Sequence, residues 1–452
     1  MRRVDCPSAN NTISMQIDNI TFNDLSIFHQ EEEFSLFHQL NYTQTIGGKD
    51  WLARFFSEPL AELSKITEVQ HILQCIGARE LQWPQHITNG TIMVIEKFYE
   101  APIDTIPATP NLLNAVNYKL LHAPDFSLVR YTVGHFADFV RGFMELANVF
   151  NNDATPPTLR LYIQRAASLI SNEPMTALAA TQKGAKLTAL QTIYFGNYIR
   201  TRFKNAAMEL IDIFGRLDAW YSMAKAVKVH HLAFPVFMEA PKAALNAKGL
   251  YHLLLRAPVA YDVQLQQKQN FLFLTGANMA GKSTFIKSVG AAVYLAHLGM
   301  GVPASSMQLT LFDGILSNIN VVDNLVRGES YFFNEVQRIK NTINKINDGK
   351  KWLVLIDELF KGTNVQDAMK CSGAVIKGLV KIPNSLFILS THLYEIAAEL
   401  NTQPNIVFRF FETEVKEDQL VFSYQLKEGI SNDRIGYLIL KQEKVVEMLE
   451  NL

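Results

Sequence analysis

The sequence predicts an α + α/β chain in which a helical N-terminal domain precedes an α/β domain built around a phosphate loop. Three observations carry this prediction. Residues 270–284 read Asn-Phe-Leu-Phe-Leu-Thr-Gly-Ala-Asn-Met-Ala-Gly-Lys-Ser-Thr, in which four apolar residues run into Gly276 and four further residues separate it from Gly281, Lys282 and Ser283. Two later apolar runs, Trp352–Ile356 and Leu386–Leu389, lead to Asp357-Glu358 and to Ser390-Thr391-His392. Uninterrupted runs of this kind suit strands buried on both faces of a parallel sheet. Earlier in the chain, Leu187, Leu190, Tyr194 and Tyr198, then Leu210, Phe214, Leu217 and Tyr221, recur at intervals of three and four. That spacing predicts one apolar stripe along a long helix, which reads as core packing.

The 452 residues, 48% of them hydrophobic, suit a globular chain of two or three domains. Lys and Arg number 42 against 43 Asp and Glu, so no global charge draws the chain to nucleic acid, and such contact must come from local patches. Cys6, Cys75 and Cys371 show no metal spacing and suit a reducing cytoplasm. No signal-like segment is seen, and no uncharged apolar run reaches the length of about 18 residues that a membrane span needs, so a cytoplasmic chain that meets no membrane is expected.

Residues 1–24 are polar and irregular, and 25–228 read as helical. Between residues 155 and 250 basic side chains outnumber acidic ones. Lys183, Lys186, Arg200, Arg202 and Lys204, with Tyr198 and Phe203 interleaved, are either contacts for nucleic-acid phosphates or an ordinary solvated helix face. In 229–269, Pro235, Pro241 and Pro258 break helices and mark a connector into the α/β domain, 270–452. There Ile406–Phe411 and Val421–Leu426 read as antiparallel edge strands, and Asp433–Leu449 as a closing helix that caps the domain and contributes to dimerisation.

The chemistry explains the loop. Glycines let successive backbone N–H groups turn inward around phosphates, Lys282 adds a point charge near the terminal phosphates, the Ser283 hydroxyl suits Mg²⁺, and the following helix presents its positive end. Asp357 at the end of a neighbouring strand suits the metal's water shell, and Glu358 orients or deprotonates an attacking water, which favours hydrolysis over binding alone. His392 leaves the carboxyl end of another strand, where ligands of open α/β sheets bind, and is placed to sense the terminal phosphate. Between these elements, Gly328 and Ser330 precede a helical stretch running to Ile346. Ser330 is either the N-cap of a surface helix or part of an anion site that meets the nucleotide of a second subunit.

Taken together, Thr275 to Thr284, Ser330-Tyr331-Phe332 to Glu335, Asp357-Glu358 with Lys361-Gly362-Thr363, and Thr391-His392 resemble the ATPase domain of the MutS family of DNA mismatch-repair proteins. Asn278-Met279 is unusual among phosphate loops and makes the match specific. The chain departs from the usual family pattern at Ala277 and Ala280, where Pro and Gly are usual, at Tyr331 for Thr, and at Phe360-Lys361 for Gly-Arg. None of these removes a catalytic group, although the last pair bears on subunit communication and turnover. The opening Leu25 to Leu60, with its Thr45-Ile46-Gly47-Gly48 turn, is similar to the start of the family's core domain, and Leu217 to Ala224 to its returning lever helix.

The resemblance implies a helical core and lever followed by an ABC-like P-loop ATPase. It implies ATP and Mg²⁺ held by Gly276, Ala277, Asn278, Met279, Ala280, Gly281, Lys282, Ser283, Thr284 and Asp357, with Glu358, His392 and Lys282 acting on the phosphates. It further implies Ser330 reaching across a homodimer, and double-stranded DNA as partner, with nucleoid association when bound. The core-like sequence begins within about the first 30 residues, which leaves no room before it for the family's mismatch-reading domain. Phe98-Tyr99-Glu100 matches that domain's reading triplet only by coincidence, and the DNA clamp is expected to be reduced or missing. The expected functions are therefore mismatch repair, recognition of branched or recombining DNA by shape, or a dimeric ATP switch acting on a protein or RNA partner.

Overall fold

Phe271–Thr275, Trp352–Asp357 and Leu386–Ser390 are strands in which every residue is buried, as uninterrupted apolar sequence requires of strands covered on both faces. The computed structural model describes residues 14–182, 184, 186–320, 331–416, 419–431 and 444–450. The chain divides into two compact units, Met1–Gln39 with Glu58–Thr67 and Val229–Leu452, and Leu40–Ser57 with Glu68–Lys228.

In the first unit the strands are β1 (Gln16–Ile17), β2 (Val236–Phe237), β3 (Leu245–Leu250), β4 (Tyr261–Leu265), β5 (Phe271–Thr275), β6 (Ser306–Leu309), β7 (Gly314–Asn318), β8 (Trp352–Asp357), β9 (Leu386–Ser390), β10 (Ile406–Lys416) and β11 (Gln419–Glu428). A seven-stranded sheet runs β1-β7-β8-β9-β5-β10-β11, parallel throughout except for the β10–β11 pair. Its register sets Asp357 of β8 opposite Ser390 of β9, and Ser390 opposite Leu274 of β5. The carboxyl ends of the three apolar strands therefore lie side by side, which is where the crevice of an open α/β sheet forms.

Two sequence expectations change here. Ile406–Phe411 is not an edge strand, because Ile406 to Phe410 pair parallel with β5 and leave β11 alone at that edge. The helix before Pro235 already ends at Val229, and the residues of 229–269 form β2, β3 and β4, which with β6 make a second sheet ordered β2-β6-β3-β4. β4 alternates buried and exposed residues, the pattern of a strand covered on one face. Strand β7, Gly-Ile-Leu-Ser-Asn, is too short and too polar at its end to stand out from sequence, yet all five residues are buried. A Cβ on Gly314 would overlap the Trp352 ring in the adjacent strand.

Of the polar opening stretch, residues 1–13 lie outside the described residues. The remainder is ordered by this sheet. Gln16 and Ile17 pair with Gly314 and Ile315, and Asp18 caps the helix Asn19–Asp24 by accepting from Thr21 N at 2.9 Å. The closing helix is described over Val445–Glu450. The earlier part of its expected span, 433–443, lies outside the described residues.

The second unit is helical, with no strand among its described residues. Ala123–Phe150 is its longest helix, and Phe126, Val129, Val133, Phe136, Val140 and Phe143 are buried along one face. The expected single long helix around residue 200 is two helices, Ala189–Arg202 and Lys204–Val229, separated at the buried Phe203. The first of them buries Ile193, Gly196 and Ile199, not the stripe of Leu190, Tyr194 and Tyr198. In the second, Leu210, Phe214, Leu217 and Tyr221 are buried as their spacing predicts. Phe98 is 1% exposed inside the helix Asn89–Glu100. Among the described residues no helix is long and apolar enough to cross a membrane.

Candidate active site

Strand β5 ends at Thr275 and the chain turns through Gly276, whose φ is 140°, into a loop that closes at Gly281, φ 103°, before the helix Lys282–His297. Both glycines hold backbone angles that side chains rarely adopt. A Cβ on Gly276 would also press on the Phe411 carbonyl oxygen at 3.2 Å. Ala277 and Ala280 are buried under the loop, while Met279 stands 73% exposed. The Lys282 ammonium folds back, donating to the carbonyl oxygens of Gly276 at 2.8 Å and Ala277 at 2.9 Å. Burial lowers its pKa, against the raising influence of Glu358 and Asp357.

Ser283, in the first turn of that helix, donates its hydroxyl to Oδ2 of Asp357. Oδ1 of Asp357 accepts from the Ser390 hydroxyl, so the carboxylate at the end of β8 is held from both neighbouring elements. All donors of this set are oxygens, the ligand type Mg²⁺ prefers. Glu358 follows with φ 65°, its backbone N–H donating to Ser390 O at 3.0 Å. Phe360 at 59° and Met279 at 69° are strained alike, so non-glycine residues in the left-handed region occur in both loops beside the cleft.

The Glu358 carboxylate lies 3.4 Å from Nδ1 of His392 and 3.3 Å from Nζ of Lys361. Burial works to raise its pKa, but His392, Lys361 and Lys282 outweigh it and hold the carboxyl at about 2. His392 is itself half-exposed. Glu335, buried on the helix Tyr331–Ile346, accepts from the backbone N–H groups of Lys361 at 3.1 Å and Gly362 at 3.3 Å, and burial raises its pKa. Phe360, one of the departures from the family pattern, is buried and packs at 5.6 Å from Phe332 of the same helix. The loop after Glu358 is therefore tied to that helix by both an apolar and a polar contact.

Lys282, Ser283, Asp357, Glu358 and Lys361 line one cleft of about 630 Å³, which Asn278, Met279, Gly281 and Thr284 also border, and His392 reaches it through Glu358. Its other wall is apolar and aromatic: Leu255, Val259, Tyr261 and Tyr424. Val259 and Tyr261 fall in Pro258–Asp262, a segment that resembles the part of the family near the adenine, whereas Leu255 and Tyr424 did not stand out in sequence as site residues. Tyr424 lies on the edge strand nearly 150 residues from the loop, and only the β5–β10–β11 order brings it over Gly281, whose ideal Cβ would sit 3.4 Å from the tyrosine ring. Ser390 was likewise passed over. Its adjacency to Asp357 is a matter of register, which a single strand's sequence does not state.

Ser330 and Lys183 lie outside the described residues. The remaining basic candidates do not gather into one stripe. Arg200 donates to the carbonyl oxygens of Phe98 and, at 2.9 Å, Ala101, closing the end of the helix Asn89–Glu100. Lys204 sits 5.9 Å over the Tyr99 ring, and Arg202 is exposed nearby in sequence. Lys186 borders a separate cleft against the helix Ala123–Phe150.

Residues 272–449 match the family model described as MutS domain V. The chain is 27% identical over 242 residues to the DNA mismatch repair protein MutS of Petrotoga mobilis, a match covering 52% of this chain and 29% of that protein. To the protein of the same description from Oceanobacillus iheyensis it is 31% identical over 238 residues, covering 52% of this chain and 27% of the relative. For that of Chlorobium chlorochromatii the figures are 27% over 306 residues, 64% and 34%. The chain thus spans about a third of the length of the curated relatives it matches, or less.

Proposed function

From the premise that the chain belongs to the MutS family, we propose that it is an ATPase that binds ATP with Mg²⁺ in the cleft at the carboxyl edge of the seven-stranded sheet and couples turnover to a homodimer's grip on double-stranded DNA. The observation that carries the hydrolytic reading is the meeting of Ser283, Asp357 and Glu358 in one cleft, with His392 from a further element set against Glu358.

In this reading the loop amides wrap the phosphates, and Lys282 leaves the carbonyls of Gly276 and Ala277 to reach the terminal phosphate oxygens. Ser283 and Asp357 supply the oxygen ligands for Mg²⁺, which when bound neutralises charge on the phosphates. Glu358 accepts a hydrogen bond from the attacking water and aims its oxygen at the γ-phosphorus, while His392 orients Glu358 and faces the phosphate. Tyr424, Tyr261 and Val259 offer the base an aromatic and apolar wall. Ser330 serves the nucleotide of the partner protomer.

The test has two arms. Glu358→Gln is expected to keep affinity for a fluorescent ATP analogue while cutting turnover about 100-fold or more; unchanged hydrolysis sinks the assigned role. With a non-hydrolysed ATP analogue at one salt concentration, binding to perfect duplex, single-mismatch duplex and four-way junction is then compared. Tighter mismatch binding assigns mispair recognition, and tighter junction binding assigns recognition by shape. Binding to none of them removes DNA from the reading and moves the search to protein or RNA partners.

A further inference from the structure

The longest helix of the helical unit, Ala123–Phe150, turns Ser127, Arg130, Gly134, Asp138 and Arg141 to the side opposite its buried phenylalanines. Thr181, Gln182, Gly184, Lys186 and Leu187 stand across from them, and between the two lies a cleft of about 460 Å³. Its far wall is fixed by Arg141, which donates from Nε to Ala179 O at 3.0 Å and from a terminal nitrogen to Thr181 O at 2.5 Å and Oγ1 at 3.0 Å. Asp138, the acidic side chain on this lining, is paired with Arg141 at 2.8 Å.

Three features of this cleft are left unexplained by the chain's own packing. Gly134 sits mid-helix, where glycine is among the poorest residues. A Cβ there would meet nothing within 4 Å, whereas one on Gly142 of the same helix would meet Ile87 at 2.5 Å, and one on Gly196 would overlap Val129. Internal packing accounts for the latter two glycines and not for Gly134, whose bare backbone forms the cleft floor. Beside it, Nδ1 of His135 is buried without a hydrogen-bond partner among the described residues. Tyr131 is 58% exposed, with its ring 4.6 Å from that of His135 and nearly edge-on to it. Arg130, held 5.7 Å over the Phe126 ring, and Lys186 on the opposite wall leave three cations against one carboxylate on the lining.

We propose that this cleft takes one unpaired nucleotide of a DNA strand, as at a mismatch, branch point or single-stranded stretch, its phosphate between Arg130 and Lys186 and its base against Tyr131 over the bare floor at Gly134. Basic side chains with an exposed ring are the combination by which strands are held without sequence readout. The volume falls in the range of small-ligand sites, about 300–1,000 Å³, but the exposed Tyr131 and Lys186 rim suits a unit of a longer strand better than an enclosed free nucleotide. The inference rests on the DNA partner of the proposed function and gives that partner a contact point that excludes Arg200, whose guanidinium is committed to carbonyl groups.

The experiment uses the full chain, with a fluorescein-labelled oligothymidylate, its duplex, and free thymidine monophosphate as probes. Gly134→Leu fills the floor while improving helix propensity, so its melting temperature should not fall below that of wild type, and Gly134→Ala serves as the small control. Gly134→Leu is expected to weaken oligothymidylate binding about tenfold or more, in line with the loss of one stacked base. Arg130→Ala with Lys186→Ala should lower the slope of log affinity against log salt by about 1.4 on the single strand, two phosphate contacts at about 0.7 each. Binding of the fluorescent ATP analogue should be unchanged in both. Oligonucleotide binding by wild type that neither variant alters would overturn this site and leave the proposed function standing. Binding of thymidine monophosphate without any oligonucleotide would overturn the strand assignment, and binding of no probe would remove the DNA partner itself.

Discussion

Arg338, on the helix Tyr331–Ile346, closes a two-point ion pair on Asp18, one terminal nitrogen to Oδ2 at 2.6 Å and the other to Oδ1 at 3.3 Å. The same guanidinium donates to Ser317 O at the end of β7. Six residues after Asp18, the buried Asp24 accepts from Ile319 N and Asn320 N at 3.0 Å each, and from the Ser317 hydroxyl. The short segment before residue 25 thus holds both the end of β7 and the helix whose Glu335 carries the loop after Glu358. Burial would raise the Asp18 pKa, but the bonds from Arg338 and Thr21 overcome it and bring the carboxyl to about 2, from its ordinary 3.8.

A carboxyl whose pKa is depressed on folding contributes stability that is present above its unfolded value and is lost as pH falls through its folded one. The window for Asp18 is therefore pH 4 down to 2. Asp18→Asn should cost the first unit about 1–3 kcal/mol near neutral pH, since it leaves a partly buried guanidinium underpaired. Urea unfolding at stepped pH should show the difference between variant and wild type shrinking across that window. A difference that stays constant from pH 5 to 2 would show that the pair's charge contributes nothing.

Asp218 has the opposite sign. Its carboxylate is buried on the helix Lys204–Val229 and accepts from Gln44 N at 3.0 Å, Thr45 N at 2.9 Å and the Thr45 hydroxyl at 2.7 Å. No cation neutralises it in these contacts, and burial pushes its pKa up to about 6 despite the three donors. A raised folded value gives stability that is full below the unfolded pKa near 3.8 and is lost as pH rises through 6. Asp218→Asn should remove that loss, so unfolding of the second unit should depend less on pH between 4 and 6 in the variant. Identical pH profiles would exclude Asp218 as the titrating group.

Much of the candidate site was legible because its residues are contiguous: the loop from Gly276 to Thr284, the pair Asp357-Glu358 and His392 each follow an apolar strand closely. Tyr424 and Ser390 were not, since their relation to the site exists only through strand order and register. Strands β3 and β4 were hidden because short alternating strands between prolines look like a linker. The stripe from Leu190 to Tyr198 misled because spacing of three and four selects a face without saying which face is buried; there the smaller Gly196 and Ile193 face inward. The Thr45–Gly48 turn was visible as a pattern, but its reason is tertiary and lies in Asp218.

That reason makes a prediction of its own. Thr45 donates to Asp218 while accepting from Gly48 N at 2.9 Å, and a Cβ on Gly48 would overlap the Asp218 carboxylate. Gly48→Ala should therefore destabilise the second unit by about 1–3 kcal/mol, the usual cost of forcing atoms into a filled site. Gly134→Ala, in open space on its helix, should instead stabilise by up to about 1 kcal/mol. Thermal unfolding of the two variants side by side checks the pair, and equal shifts would show that local helix propensity, not the Asp218 contact, decides both.

The last prediction concerns Ser390, which is fully buried and touches the proposed metal ligand without lining the cleft. Its hydroxyl occupies Oδ1 of Asp357, leaving Oδ2 turned toward Ser283 and the loop. Groups that orient a metal ligand from behind typically govern affinity by a factor of about 10 to 100. Ser390→Ala should raise the Mg²⁺ concentration for half-maximal ATP hydrolysis about tenfold, while KM for ATP at saturating Mg²⁺ and the melting temperature stay near wild type. Ser390→Thr, which keeps the hydroxyl, should restore the Mg²⁺ dependence. A fall in kcat with unaltered Mg²⁺ dependence would instead assign Ser390 to the packing of β8 against β9, because a loosened sheet has no reason to discriminate between metal concentrations.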